Sequence, residues 1–237
     1  METGYDCISE HSSSEEHDGY YCMIFWHACK MDDADSIQEM IDNEEIRKTI
    51  DFNHTRGRDG ETPLGIAAEY NCPNAIELLV RYEVGLDLDV NKPNRHNETP
   101  LIVACRMGYK TCATLILRSP HIYVNHVPRT LNQKYTHATA LWFATYQNMN
   151  GVVKILLERP EIDLNFRETV GFSAFDVASF HQNENIVKMI LASKAHTKLD
   201  ISQVCVFDSF SHLYSEYKKD REGVSQRLRI ELQATPC

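Results

Sequence analysis

Residues 59–79 read DGETPLGIAAEYNCPNAIELL, and this stretch determines the fold because it contains the signals for two consecutive helices. A threonine hydroxyl, here Thr62, accepts a hydrogen bond from an unpaired N–H at a helix start. Pro63 suits the first helical position, where it loses no donor that the helix needs. The later run 76–80 (IELLV) spaces its apolar residues as one face of an amphipathic helix does. The stretch therefore predicts a helix, a tight turn and a second helix.

The same pattern occurs five times along the chain. Copies are anchored on Ala28, Ala67, Ala104, Ala144 and Ala178, with spacings of 39, 37, 40 and 34 residues. Each copy continues into a second apolar helix pattern, and four are followed by an extended segment that ends in asparagine, a residue suited to turns. The sequence therefore predicts repeated helix–turn–helix units.

Residues 59–79, together with Asp89-Val-Asn91, resemble the ankyrin repeat, whose consensus runs D-x-x-G-x-T-P-L-H-x-A-A and ends in D-V-N. The resemblance extends in the same register over about residues 20–200 and implies an all-α ankyrin-repeat solenoid of stacked units. The second and third copies exceed the usual period of about 33 residues, and the third has a long turn at 119–138. The predicted repeats are 20–57, 58–94, 95–134, 135–168 and 169–200.

The segments outside the repeats are predicted to differ from them. Residues 1–19 are acidic and are expected to form a disordered arm. Residues 201–237 break the repeat but keep helical spacing, which predicts a helical C-terminal cap or docking tail. Gly223 is expected to separate two helices there, with Val224, Leu228 and Leu232 on one side of the second.

Charge and composition restrict the partners. The chain has a formal charge of −10, and residues 1–61 hold 16 acids and 5 bases. Since phosphate binding needs a basic face, nucleic acid is not an expected partner. No apolar run is long enough to span a bilayer, and the eight cysteines are too sparse for a disulfide scaffold. These features predict a cytoplasmic protein that does not bind a membrane.

Sequence motifs for catalysis are missing. The chain has no G-x-G-x-x-G, G-x-x-x-x-G-K-[ST], G-x-S-x-G or H-E-x-x-H motif. His121, His126 and His137 in the third turn lack the tight spacing typical of metal ligands. Cys22, His27 and Cys29 lie close together in the first repeat, but cysteines beside a helical alanine are expected to be core residues. The sequence therefore predicts no enzyme, no cofactor and no metal site.

Trp26 and Trp142 occupy the position of the consensus histidine. An indole there is expected to fill the space between adjacent helices, and the alternative is that it lines the concave surface as a binding anchor.

The resemblance implies a non-catalytic scaffold that binds another protein on the concave face and turn tips. Basic turn residues suggest a partner with an acidic surface, and the chain is expected to be monomeric. The alternative is a targeting or regulatory subunit whose C-terminal tail docks on an enzyme while the repeats select its substrate. The candidate partner-binding residues are Arg56, Arg58, Glu69, Tyr70, Asn94, Arg95, His96, Arg106, Tyr109, Arg129, Asn132, Lys134, Tyr135, Trp142, Tyr146, Arg167 and Phe180.

Overall fold

A computed structural model describes residues 13–128, 137–200, 202 and 210–234, and these form thirteen α-helices in two stacked layers. The first helices of the five repeats are α1 (Ser13–Lys30), α4 (Pro63–Glu69), α6 (Pro100–Met107), α8 (Ala140–Tyr146) and α10 (Ala174–Phe180). The second helices are α2 (Ala34–Asp42), α5 (Pro73–Arg81), α7 (Lys110–Ile116), α9 (Asn150–Leu157) and α11 (Glu184–Ala192). The short helix α3 (Glu44–Thr49) follows α2, and α12 (Ser211–Lys219) and α13 (Arg221–Ala234) follow the repeats.

Each first helix packs on the next first helix, and each second helix packs on the next second helix. The two layers bury a continuous apolar core that includes all five anchor alanines. This is the stacking that the sequence predicted, because a single helix pair has no other way to bury its apolar face.

The predicted helix starts have the expected geometry. The side-chain oxygens of Thr62, Thr99, Thr139 and Ser173 each accept a hydrogen bond from the backbone N–H three residues later, at 3.0–3.4 Å. The Asp176 carboxylate in turn accepts a hydrogen bond from the backbone N–H of Ser173, which completes a capping box.

The turn between the two helices of every repeat contains one residue in the left-handed conformation. These residues are Asp32, Asn71, Gly108, Asn148 and Gln182, with φ between 53° and 77°. Each lies four residues after its anchor alanine, so the repeat register fixes this conformation as well. Asparagine, aspartate and glycine tolerate it best, and Gln182 is the least suited of the five.

An asparagine after each of the first four repeats clamps the following repeat. The Asn91 side-chain amide donates to the carbonyl of His121 at 2.8 Å and accepts from the N–H of Tyr123 at 2.7 Å. The same pair of bonds is made by Asn53, Asn125 and Asn165. The sequence indicated only that these asparagines suit turns, whereas the structure shows that they hold consecutive repeats in register.

The predicted N-terminal arm overlaps the first helix. Helix α1 begins at Ser13, inside the range 1–19 that was assigned to a disordered arm, and residues 1–12 lie outside the described residues. The acidic end of the array also has a structural role, because Asp32 accepts bonds at 2.9 Å from the Ala75 N–H and the Asn74 amide at the start of α5.

At the other end, α13 packs against α11 and buries Val224 and Leu228. The predicted break at Gly223 is wrong: the two tail helices separate at Asp220, whose carboxylate caps the N–H of Gly223 inside α13 at 2.9 Å. An aspartate at a helix start satisfies a donor that a glycine break would leave open.

Candidate functional site

One exposed apolar side chain from every repeat lies at the C-terminal end of its first helix. We call this set the exposed row. It consists of Met31, Tyr70, Met107, Tyr146 and Phe180, with exposed fractions of 63%, 50%, 41%, 52% and 61%. All five lie two or three residues after an anchor alanine, so helix stacking places one of them at the corresponding end of each first helix.

The C-terminal end of the exposed row is aromatic. Tyr146 stacks on Trp142 at 5.3 Å between ring centroids with an interplanar angle of 9°. His181 meets both Tyr146 and Phe180 edge-on at 5.3 Å. Contacts between rings therefore run without interruption from α8 to α10, which holds the exposed faces of Tyr146 and Phe180 in fixed positions.

Both tryptophans are structural ties between consecutive repeats. The Trp26 indole N–H donates to the carbonyl of Glu61 at 3.0 Å, and that of Trp142 donates to the carbonyl of Phe172 at 3.1 Å. Each carbonyl directly precedes the capping residue of the next first helix. Trp142 is only 8% exposed, so its nomination as a contact residue needs correction: its surface is covered and its single donor is used.

The N-terminal end of the exposed row is charged. The ammonium of Lys30 lies 4.4 Å from the ring centroid of Tyr70 and 5.7 Å from that of Trp26. Burial raises the pKa of Glu69, as does the neighbouring charge of Asp59, and Arg106 and Lys30 offset part of that rise. The pKa of Glu61 is also raised by burial, although a bond from the Asn94 amide opposes this. Carboxylates are therefore crowded at this end.

Three of the predicted contact residues make hydrogen bonds or ion pairs within the protein, at the turn between the second and third repeats. The side-chain amide oxygen of Asn94 accepts hydrogen bonds from the backbone N–H groups of His96 and Glu98, at 2.9 and 3.0 Å. The His96 ring is 3.0 Å from a carboxylate oxygen of Asp59. The guanidinium of Arg95 donates to the carbonyl of Arg58 at 3.0 Å. These three side chains fix the shape of the turn.

Two further predicted residues are paired with buried carboxylates. Arg106 donates to both oxygens of Glu98, at 2.8 and 3.2 Å, and the Glu98 side chain is 2% exposed. Arg167 donates to Asp176 at 2.8 Å and to the carbonyl of Gly171 at 2.7 Å. A carboxylate without contact to water requires such a partner, so both arginines stabilise the fold.

The remaining candidates divide into three groups. Glu69 is partly exposed beside Tyr70, and Tyr109 is partly buried against the core. Arg56 and Arg58 lie in the turn before α4, where Arg58 is exposed. The other four lie outside the described residues: Arg129, Asn132, Lys134 and Tyr135.

Within the described ranges, no three histidine, cysteine, aspartate or glutamate side chains are grouped so that they could hold a metal ion. Of the three histidines in the third turn, His121 pairs with Glu83 at 2.9 Å and His126 contacts the carbonyl of Asn97 at 2.8 Å. The described cysteines are buried free thiols, and burial raises the pKa of Cys105 to about 12. Such a thiol is a core residue rather than a nucleophile.

None of the helices in the described part of the chain is long and apolar enough to cross a membrane.

Residues 24–128 match the family model of ankyrin repeats (3 copies). A comparison with curated proteins found no match to this chain. The family match covers the first three helix pairs, and the next two continue the same layers, left-handed turns and asparagine clamps. The match and the stacked helix pairs show that the chain contains ankyrin repeats, which form an all-α ankyrin solenoid.

Proposed function

We propose that this protein is a non-catalytic scaffold that binds another protein along the exposed row. One observation supports this proposal above the others: each of five repeats exposes a large apolar side chain at the C-terminal end of its first helix. A side chain that serves only the core gains nothing from such exposure, whereas large exposed apolar side chains often belong to an interaction surface.

Ankyrin repeats form protein–protein interaction modules, and stacked repeats create extended surfaces for that purpose. Aromatic residues are enriched among the side chains that contribute most to the energy of such interfaces, and rigid positions favour that role. Tyr146 and Phe180 meet this condition through their ring contacts with Trp142 and His181. We therefore assign the main anchoring role to the row's aromatic end.

The chemistry of the partner is inferred from the side chains of this surface that are not already paired with carboxylates of the same chain. His96, Arg106 and Arg167 already face carboxylates of this chain, which weakens the expectation of an acidic partner surface. We infer that the partner presents apolar side chains to Tyr146 and Phe180 and polar groups to the charged end. A cytoplasmic location and a monomeric state remain predictions from the sequence.

The test compares two double variants of the full chain. Tyr146→Ala with Phe180→Ala removes the aromatic end, and Val84→Ala with Ile230→Ala removes two side chains that are 79% and 64% exposed elsewhere. Proteins captured from a native lysate are identified for wild type and both variants, after equal melting temperatures have been verified. We expect the first variant alone to lose its partners, by tenfold or more in affinity, since each aromatic anchor contributes about 1–2 kcal/mol or more. Equal capture by both variants would refute the role of the row.

The alternative, a targeting subunit with a docking tail, is tested by the same pair. The packing of α13 on α11, with Val224 and Leu228 buried, supports a cap. Loss of partners only in the variant that carries Ile230→Ala, which lies on α13, would favour the docking tail instead.

A further inference from the structure

A groove lies on the layer of second helices, where α9, α11 and α13 meet. Its volume is about 600 Å³, which is within the range of sites that hold a small ligand or a few side chains. Leu157, Met189 and Leu232 contribute its apolar surface, one from each helix. Because it lies on second helices and on the tail, it is separate from the exposed row on the first helices.

Cations line the rim of this groove. Lys154, Lys194 and Arg229 contribute to its lining, against the single carboxylate of Glu158. Both lysines are exposed, and no described carboxylate lies within ion-pair distance of either ammonium. The Arg229 guanidinium lies 3.9 Å from the Glu222 carboxylate, so Lys154 and Lys194 supply the excess of positive charge around the apolar surface.

The groove is formed by the fold before any partner binds. The Arg229 guanidinium donates to the carbonyls of Ala192 and Ser193, at 2.7 and 3.4 Å, and so ties α13 to the end of α11. The apolar contacts of Val224 and Leu228 hold the same helix in place. A rigid groove loses little conformational entropy on binding, which favours recognition of a short segment.

We propose that this groove docks a short acidic segment of a partner protein, with one or two large apolar side chains seated between Leu157, Met189 and Leu232. The carboxylates of that segment face Lys154 and Lys194. Charge complementarity selects this occupant, since the rim would repel a basic segment and the apolar surface would not favour a purely acidic one. The site is independent of the exposed row and holds whether or not the row binds a partner.

The probe is a displayed library of short random peptides, selected on the intact protein. Two variants carry the same change in charge: Lys154→Glu with Lys194→Glu in the groove, and Lys110→Glu with Lys219→Glu at exposed positions elsewhere. Enriched peptides are synthesised, and their affinities for wild type and both variants are measured. All three proteins are compared by melting temperature first, so that a folding defect is recognised.

We expect enriched peptides to combine acidic with large apolar residues, and to lose affinity by about tenfold in the groove variant alone. Leu232→Asp is expected to abolish binding of the same peptides, because it places a charge in the apolar surface. Enrichment of peptides without acidic residues, or equal binding to both charge variants, would overturn the proposal. So would the absence of enrichment together with groove-dependent binding to phosphatidylserine vesicles, which would assign the site to a membrane surface.

Discussion

The surroundings of Trp26 and of Trp142 differ although the two residues hold the same place in the repeat. Each indole ties its repeat to the next by donating to a backbone carbonyl, at 3.0 and 3.1 Å. Around Trp26 the neighbours are charged, with the ammonium of Lys30 over the ring. Around Trp142 they are aromatic, with Tyr146 stacked on the ring. The repeat register therefore determines the internal bond, and neighbouring residues determine what the surface presents.

This difference separates two kinds of exposed surface on one scaffold. Near the first three repeats the positive charges of Lys30 and Arg106 lower the pKa of Glu69, against the larger effect of burial, which raises it. Near the last two repeats Tyr146 and Phe180 are held by uncharged ring contacts and His181. The two ends are therefore expected to respond differently to substitution, to salt and to pH.

The largest expected effect is the loss of an indole. Trp142→Ala should lower the free energy of unfolding by about 3–5 kcal/mol, because it opens a cavity in a buried site and removes the bond to Phe172. Trp26→Ala should cost less, since that ring is partly exposed. Urea denaturation of both variants measures the difference. An equal loss at the two sites would mean that the common hydrogen bond, rather than packing, carries the effect.

The two buried ion pairs give the next largest effect. Arg106→Met leaves the Glu98 carboxylate without the two bonds from the guanidinium and should cost about 3 kcal/mol. Arg167→Met should cost about 1–2 kcal/mol, because Asp176 still accepts bonds from Ser173. Thermal unfolding at neutral pH compares the two. A larger cost for Arg167→Met would show that the capping box depends on the arginine.

The sequence was sufficient for the fold because the deciding signals are local. Capping residues such as Thr62, the spacing of apolar residues and the constant register of the anchor alanines all act within one repeat. Hydrogen bonds between repeats could not be predicted in the same way. The clamp made by Asn91 depends on which backbone groups of the next repeat lie opposite its side chain. The left-handed turns could have been predicted from the sequence, since Asp32, Asn71 and Gly108 occupy the same position of the repeat.

The candidate site was predicted less completely. Tyr70, Tyr146 and Phe180, three of the predicted partner contacts, are exposed at the ends of their first helices. Met31 and Met107 are not among the predicted contacts, although each lies three residues after its anchor alanine, as Tyr70 does. Arg106 and Arg167 are predicted as partner contacts because the sequence does not show which carboxylates lie beside them or how deeply these are buried. The buried carboxylates that neutralise them became visible only in three dimensions.

Glycine substitutions at two of the left-handed turns should change the free energy of unfolding by smaller amounts and in opposite directions. Gln182→Gly should raise the free energy of unfolding by about 0.5 kcal/mol, since glycine adopts this conformation without strain. Asn71→Gly should lower it by a similar amount, because the amide oxygen of Asn71 accepts a bond from the Cys112 thiol at 3.3 Å. Both are measured by chemical denaturation. If both variants gained stability, relief of backbone strain at Asn71 would outweigh the loss of its bond from Cys112.

The smallest expected effect tests the charged end through pH. Because the pKa of Glu69 is raised above its ordinary value of 4.5, the folded state binds more protons than the unfolded state between those two values. Stability from this group is therefore present at low pH and is lost as pH rises through the folded pKa. Glu69→Gln should be neutral or slightly harmful at acid pH and stabilising by up to about 0.5 kcal/mol at neutral pH.

The matched control is Tyr146→Ala at the aromatic end, which removes no group that titrates in the acidic range. Its difference from wild type should stay constant across the same urea titrations, whereas the difference for Glu69→Gln should grow with pH. If Glu69→Gln instead lost stability as the pH rose, attraction to Lys30 and Arg106 would outweigh burial and the repulsion from Asp59. The exposed row would then have a balanced ion network at its N-terminal end, and a partner would gain little by placing a cation there.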